Sequence, residues 1–348
     1  MRDDLLPHRL VPVTILTGFL GAGKTTLLNR ILRGDHGARM GVLVNDFGAI
    51  NIDAELVVGV QGEAVKLANG CICCTIRDDL VRALQQLLDR PDAPQAVLIE
   101  ASGVSDPFNI ALALSVPPLA ERVTLDSIIA VVDSDQARSM AARDRQIRHL
   151  MREQVAVADI VVLNKIDLVD AATLAETRRW VKAMAPRARL LETSYGAVPL
   201  RLILDIGRYR IPLQVVRTPA GSDPSSCDHH HDHGSQFETW SYTTDQPLAL
   251  CAVRQALTTL PEGIVRAKGL LYLADLPATR VIAHVVGARA SITPGDAWNA
   301  TPPGTRLVFI GAPGSIEREA LQRRFDACRA GGGVRQTLAQ AWHWVRGE

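Results

Sequence analysis

Along this chain of 348 residues, short and wholly apolar runs alternate with stretches of helical spacing. Val13 to Thr17, Gly41 to Val44, Ala96 to Ile99, Ser127 to Val132, Asp159 to Leu163 and Arg189 to Leu191 each predict a strand. Strands that are apolar throughout, with helices between them, belong in a parallel sheet covered on both faces. The helix predicted from Lys24 to Arg33 carries Leu27, Leu28, Ile31 and Leu32 on one side and stops at Gly34. Ile76, Leu80, Leu84, Leu87 and Leu88 repeat at helical spacing after Thr75, a good N-cap residue. Further helices are predicted over Ile147 to Val157 and Ala171 to Ala185. Residues 1–216 therefore read as one α/β domain with a mostly parallel sheet.

The pattern stops at residues 217–236, a Pro/Gly/Ser-rich piece that cannot bury a core and reads as a flexible, His-rich linker. Strand-like runs resume at Phe237 to Tyr242, Ile264 to Leu273, Arg280 to Val286 and Arg306 to Ile310. Leu248 to Leu260 and Ile316 to Arg329 are helical by spacing. Residues 237–348 are thus expected to form a smaller α+β domain.

Composition narrows the function. A formal net charge of +1 provides no bulk field for nucleic acid or an anionic membrane, and aromatic residues at 4% leave little for base stacking. The first residues include Asp3 and Asp4 where a signal peptide is basic and then apolar, and no apolar run is long enough to cross a bilayer. A cytoplasmic protein is the expectation. In a reducing compartment the six cysteines read as metal ligands or redox groups rather than as disulfides.

Gly18-Phe19-Leu20-Gly21-Ala22-Gly23-Lys24-Thr25 fits G-x-x-x-x-G-K-[ST] between a predicted strand and a predicted helix, the context that a P-loop requires. Gly18, Gly21, Ala22, Gly23 and Thr26 belong to the backbone cradle for the phosphates, Lys24 reaches the outer phosphates, and Thr25 offers its hydroxyl to Mg²⁺. Asn164-Lys165-Ile166-Asp167 ends another apolar strand and reads as a guanine-recognition motif. The Asp167 carboxylate can accept both N–H groups of the guanine edge, a donor pair that adenine lacks. Asn164 is expected at the far side of the base and Lys165 along it, with Ser194 in a supporting loop. GTP is the expected nucleotide. Between these motifs, Glu100 ends a strand where it can hold Mg²⁺ through water, and the Gly103 N–H can meet the γ-phosphate. Asp53 is assigned to catalysis with Lys24 and Glu100; spacing alone leaves Asp46 as an alternative to it in the switch.

In this order, G-F-L-G-A-G-K-T-T, V-N-D-F-G, N-G-C-I-C-C, E-A-S-G and N-K-I-D resemble the CobW family of P-loop GTPases, related to the nickel-insertion GTPases of urease and hydrogenase maturation. The segments from Phe237 through Lys268 to Leu307 are similar to that family's C-terminal domain. The resemblance implies a metallochaperone that couples GTP hydrolysis to delivery of zinc, cobalt or another transition metal to a client protein. Asp46 departs from the family's usual Glu.

Cys71, Cys73 and Cys74 support the metal reading on chemical grounds. Thiolates suit Zn²⁺, with Co²⁺ the alternative, and three ligands so compressed make an open site suited to an ion that is handed over. His229, His230, His231 and His233 form an auxiliary, weakly binding tract in the linker. Cys251 and Cys328 are expected in the core, and His284 is expected to be packed in a strand. A metal sensor or buffer, or a redox-controlled regulatory GTPase, is the competing reading. Metal identity, client and homo-oligomerisation stay open.

Overall fold

A computed structural model describes residues 10–34, 38–44, 65–66, 75–204, 238–298 and 301–330. They fall into two compact units, each built on one sheet.

The first unit contains strands β1 (Val11–Thr17), β2 (Met40–Val44), β3 (Val65–Lys66), β4 (Ala96–Glu100), β5 (Val123–Asp133), β6 (Ile160–Asn164) and β7 (Arg189–Glu192). Their order is β3-β2-β4-β1-β5-β6-β7, and every recorded pairing is parallel. All residues of β4 and β6 are buried, as the unbroken apolar runs predicted for strands covered on both faces. The crossover helices are α1 (Lys24–Arg33), α2 (Thr75–Leu88), α3 (Pro107–Leu114), α4 (Ala137–Arg143), α5 (Arg145–Ala156) and α6 (Ala171–Met184), followed by the short α7 (Leu200–Ile203). Leu80, Leu84, Ile110 and Leu114 of α2 and α3 pack with Val13, Ile15, Val97 and Ile99. Met151, Val155 and Val181 of α5 and α6 pack with Val132, Val161 and Leu163. The strand order reverses direction at β1, so the C-terminal ends of β1, β4 and β5 enclose the crevice where open α/β sheets bind ligands.

The second unit contains β8 (Glu238–Thr244), α8 (Leu250–Thr258), β9 (Ile264–Leu271), β10 (Thr279–Val286), β11 (Arg289–Ala297), β12 (Thr305–Gly311) and α9 (Arg318–Asp326). The sheet order is β11-β10-β9-β12-β8, with β12 antiparallel to both β8 and β9. Val253, Leu257, Leu321 and Phe325 of the helices join Tyr242, Ala267, Leu307 and Phe309 of the strands in one core. Its aromatic centre brings Phe309 within 5.5 Å of Trp240 and 5.2 Å of Phe325, centroid to centroid.

Two sequence expectations change. Strand β11 was not foreseen: Arg289, Ser291 and Thr293 to Ala297 are exposed, so this edge strand lacks an alternating apolar face. Cys251, expected in the core, is exposed on α8, because Val253, Ala256 and Leu257 form the buried side of that helix. Cys328 is buried as expected, and burial raises its thiol pKa.

Candidate nucleotide site

The site starts from the glycines that follow β1. Gly18, Gly21 and Gly23 all have left-handed φ, at 132°, 75° and 103°. A Cβ at Gly18 would lie 2.2 Å from the Val131 carbonyl oxygen, and one at Gly23 would lie 2.3 Å from Asn164 Nδ2. Sterics and φ therefore both demand glycine there. The turn closes with Ala22 N donating to Phe19 O at 3.2 Å, and α1 starts at once on Lys24. The N-cap Gly23 supplies no side-chain acceptor and the first turn holds no acid. The N–H groups at this helix end therefore face an anion site without a built-in carboxylate.

Lys24 is only 8% exposed, and its Nζ donates to Phe19 O at 3.3 Å, folded over the loop. Thr25 Oγ1 donates to Glu100 Oε1 at 2.9 Å, joining the first turn of α1 to the end of β4, with Glu100 2% exposed. A hydroxyl and a buried carboxylate at this separation make an oxygen donor set of the kind a hard divalent cation takes, so these residues fit Mg²⁺. Thr26 and Gly21 are exposed at the mouth of the loop. Gly103 lies hard against the P-loop: a Cβ there would be 2.9 Å from Leu20 N.

The expected base-reading residues gather at the ends of β6 and β7. Asn164 is 2% exposed; its Nδ2 donates to Ala22 O at 3.0 Å and its Oδ1 accepts from Gly196 N at 3.0 Å. The amide thus braces the P-loop to the loop after β7. Lys165 adopts a left-handed φ of 61°, and its Nζ lies 2.7 Å from Asp133 Oδ2. Asp133 Oδ1 accepts from the N–H groups of Asp135 and Gln136 at 2.9 and 3.0 Å, so this carboxylate organises the end of β5 as well. Asp167 is exposed on the turn Ile166–Leu168, and Ile166 N donates to Thr193 O at 3.3 Å, which joins the two loops. Ser194 is half-buried beside Tyr195, whose ring is exposed.

Sequence reading missed Asp133 and Gln154. The signal for Gln154 was present: it occupies an apolar position of α5, in line with Ile147, Met151 and Val155. Asp133 had only its place at a strand end. Asp46, Asp53, Cys71, Cys73, Cys74, His229, His230, His231 and His233 lie outside the described residues. Among the described residues no group of three His, Cys, Asp or Glu is arranged to hold a metal ion. His284 is half-buried on β10. Among the described residues no helix is long and apolar enough to cross a membrane.

With this geometry in place, comparison with known proteins is informative. The family described as CobW/HypB/UreG, nucleotide-binding domain, matches residues 12–192, and the Cobalamin synthesis protein cobW C-terminal domain matches residues 237–329. A protein named zinc chaperone CobW from Sinorhizobium sp is 31% identical over 336 residues, covering 86% of this chain and 92% of that protein. One of the same name from Pseudomonas aeruginosa is 34% identical over 338 residues, covering 86% and 87%. Zinc chaperone YjiA of Escherichia coli is 31% identical over 327 residues, covering 92% and 99%. The chain belongs to the CobW/HypB/UreG family of P-loop nucleotide-binding proteins.

Proposed function

We propose that this protein is a GTP-hydrolysing metallochaperone that takes up a transition metal at Cys71, Cys73 and Cys74 and passes it to a client protein according to its nucleotide state. The observation that supports its nucleotide part is the Asn164 brace, which ties the phosphate loop to the expected base-reading loop, and the metal part is supported by relatives named for zinc. Relatives of similar length named zinc chaperones favour zinc as the cargo, with cobalt the alternative. A relative named zinc-regulated GTPase metalloprotein activator 1, 29% identical over 331 residues, points to the same coupling. In this reading the protein is cytoplasmic and its partner is a client protein rather than nucleic acid or membrane.

In this mechanism Asp167 accepts from the guanine edge, and the helix α1 N-terminus and Lys24 hold the phosphates. Thr25 and Glu100 would hold Mg²⁺, which would supply neutralisation of phosphate charge. The Gly103 N–H registers the γ-phosphate. Asp53, or Asp46 in its place, orients the attacking water. The segment from Asp46 through the cysteines to Thr75 then links the γ-phosphate to the thiolates, so loss of that phosphate alters the metal site. Cysteine thiolates deliver zinc best from an incomplete coordination shell, and three ligands leave one position for the client.

The test is a competitive titration of GTP-loaded and GDP-loaded protein with Zn²⁺, Co²⁺ and Ni²⁺, repeated on a Cys71/Cys73/Cys74→Ser variant. Coupling is reciprocal in binding free energy, so one ion should bind the two nucleotide states unequally and shift nucleotide affinity by the same factor. A triple variant that responds to metal as the wild type does would overturn the reading. Transfer of metal to an apo-enzyme only while GTP is hydrolysed separates a chaperone from a sensor or buffer.

A further inference from the structure

Gln154 is 1% exposed on α5, a polar side chain at a core position of the helix. Its Nε2 donates to Gly103 O at 3.0 Å and to Ser105 O at 3.3 Å. Its Oε1 is buried and has no hydrogen-bond partner among the described residues. Turning the amide over would set Oε1 against two carbonyl oxygens, so those acceptors fix its orientation. Gln154 also lines a small pocket with Gly18, Phe19 and Leu20 of the P-loop and Met140, Met151 and Trp180 of the helices.

The segment that Gln154 grips is held from the opposite side by the P-loop. A Cβ at Gly103 would lie 2.6 Å from Leu20 Cδ2 and 2.9 Å from its backbone N. Within the segment, Ser105 N and Oγ both donate to Ser102 O, at 3.1 and 2.9 Å. Residues 102–105 thus form a tight turn between Leu20 and Gln154. Helix α5 leads through Asp159 directly into β6 and Asn164.

We infer that Gln154 is a positioning residue that sets the Gly103–Ser105 turn for the γ-phosphate and reports its presence to α5. The inference rests on the proposed role of the Gly103 N–H. A buried acceptor favours a donor, so Oε1 offers a place for a backbone N–H of the turn when the γ-phosphate is bound, beside the two carbonyls that Nε2 now holds. Because α5 and Asn164 are continuous in the chain, a change at the phosphate end reaches the brace between the loops without passing through the nucleotide.

The experiment compares wild type with Gln154→Met, which keeps side-chain length and removes both donors. GDP affinity is expected to stay within about twofold, while affinity for a slowly hydrolysed GTP analogue falls about tenfold, the equivalent of one hydrogen bond. Amide hydrogen exchange at residues 103–106 should differ between the analogue-loaded and GDP-loaded wild type and lose that difference in the variant. Equal losses for both nucleotides, or no loss, overturn the inference, since a merely structural role weakens both alike. Should the variant not fold, wild-type exchange decides: protection at 103–106 that ignores the γ-phosphate overturns it. A wild type that binds neither guanine nucleotide would overturn the proposed function, and this inference with it.

Discussion

Among the described residues, the unit around the parallel sheet buries Thr14, Thr17, Lys24, Glu100, Asp133, Gln154 and Asn164. Among the described residues of the unit around the second sheet, the buried charged and polar residues are Arg266 and Thr305. Burying polar groups is unfavourable unless each finds a partner, so a fold retains them where something besides packing is at stake. Glu100, Asp133 and Asn164 stand at strand ends and Lys24 opens α1, where side chains can meet a ligand. The second unit has its fully buried aromatics, Tyr242, Phe309 and Phe325, at the corresponding depth. One unit is a binding device stabilised by cross-bracing hydrogen bonds; the other is a packed platform.

That contrast can be broken most sharply at Phe309, which is fully buried against Trp240 and Phe325. Phe309→Ala should destabilise the second unit by about 3–5 kcal/mol in denaturant unfolding. Nucleotide affinity, measured by titration of the folded variant, should be unchanged; a parallel fall would join the two units functionally. Lys24→Ala is the converse test. Phosphate release should drop about 100- to 1,000-fold with loss of a positioned donor at the reacting phosphate. The unfolding midpoint followed through Trp240 should not move.

Asn164→Ala sharpens the contrast within the first unit. It leaves Ala22 O and Gly196 N without the brace, and should destabilise that unit by about 1–3 kcal/mol while weakening nucleotide binding. Gly196 N then exchanges faster by hydrogen exchange.

The smallest expected effect is at Tyr242. Burial first, and then its hydrogen bond to Asp326 Oδ1 at 3.1 Å, push its pKa up from 10.0 to about 12. Because the folded state holds this proton more tightly, its contribution is fully present below pH 10.0 and is lost as the pH rises through about 12. Stability of the second unit, measured from pH 9 upward, should decline by something of the order of 2 kcal/mol from this group. In Tyr242→Phe that decline should be flatter.

The parts of the site that were legible in the sequence are those encoded locally. The P-loop, Glu100 and Asn164-Lys-Ile-Asp each follow an apolar strand, and strand-end position is written in consecutive residues. The partners of those residues were not legible. Gln154 grips a turn 51 and 49 residues earlier, and Asp133 reaches a lysine 32 residues on. Helix α3 was also unforeseen. Its Phe-Asn-Ile-Ala-Leu-Ala-Leu run lacks a polar face, although Asp106 caps it by accepting from Phe108 N at 2.8 Å and Pro107 opens it. Strand β11 escaped for the opposite reason, being too polar to show a period. Asn164 was picked out by its motif, but a motif names a residue without revealing which of its atoms are already engaged.

The central place of β1 has an evolutionary consequence. On one flank, β4 ends on Glu100 beside Thr25; on the other, β5 and β6 end on Asp133, which holds Lys165, and Asn164, which holds Ala22. The two flanks meet at the loop that follows β1. Because Asn164 holds both Ala22 O and Gly196 N, a substitution at the end of β6 disturbs the P-loop together with the loop after β7. Among the described residues, Gly18 to Thr25 answer to both flanks, which leaves this short stretch little freedom to vary.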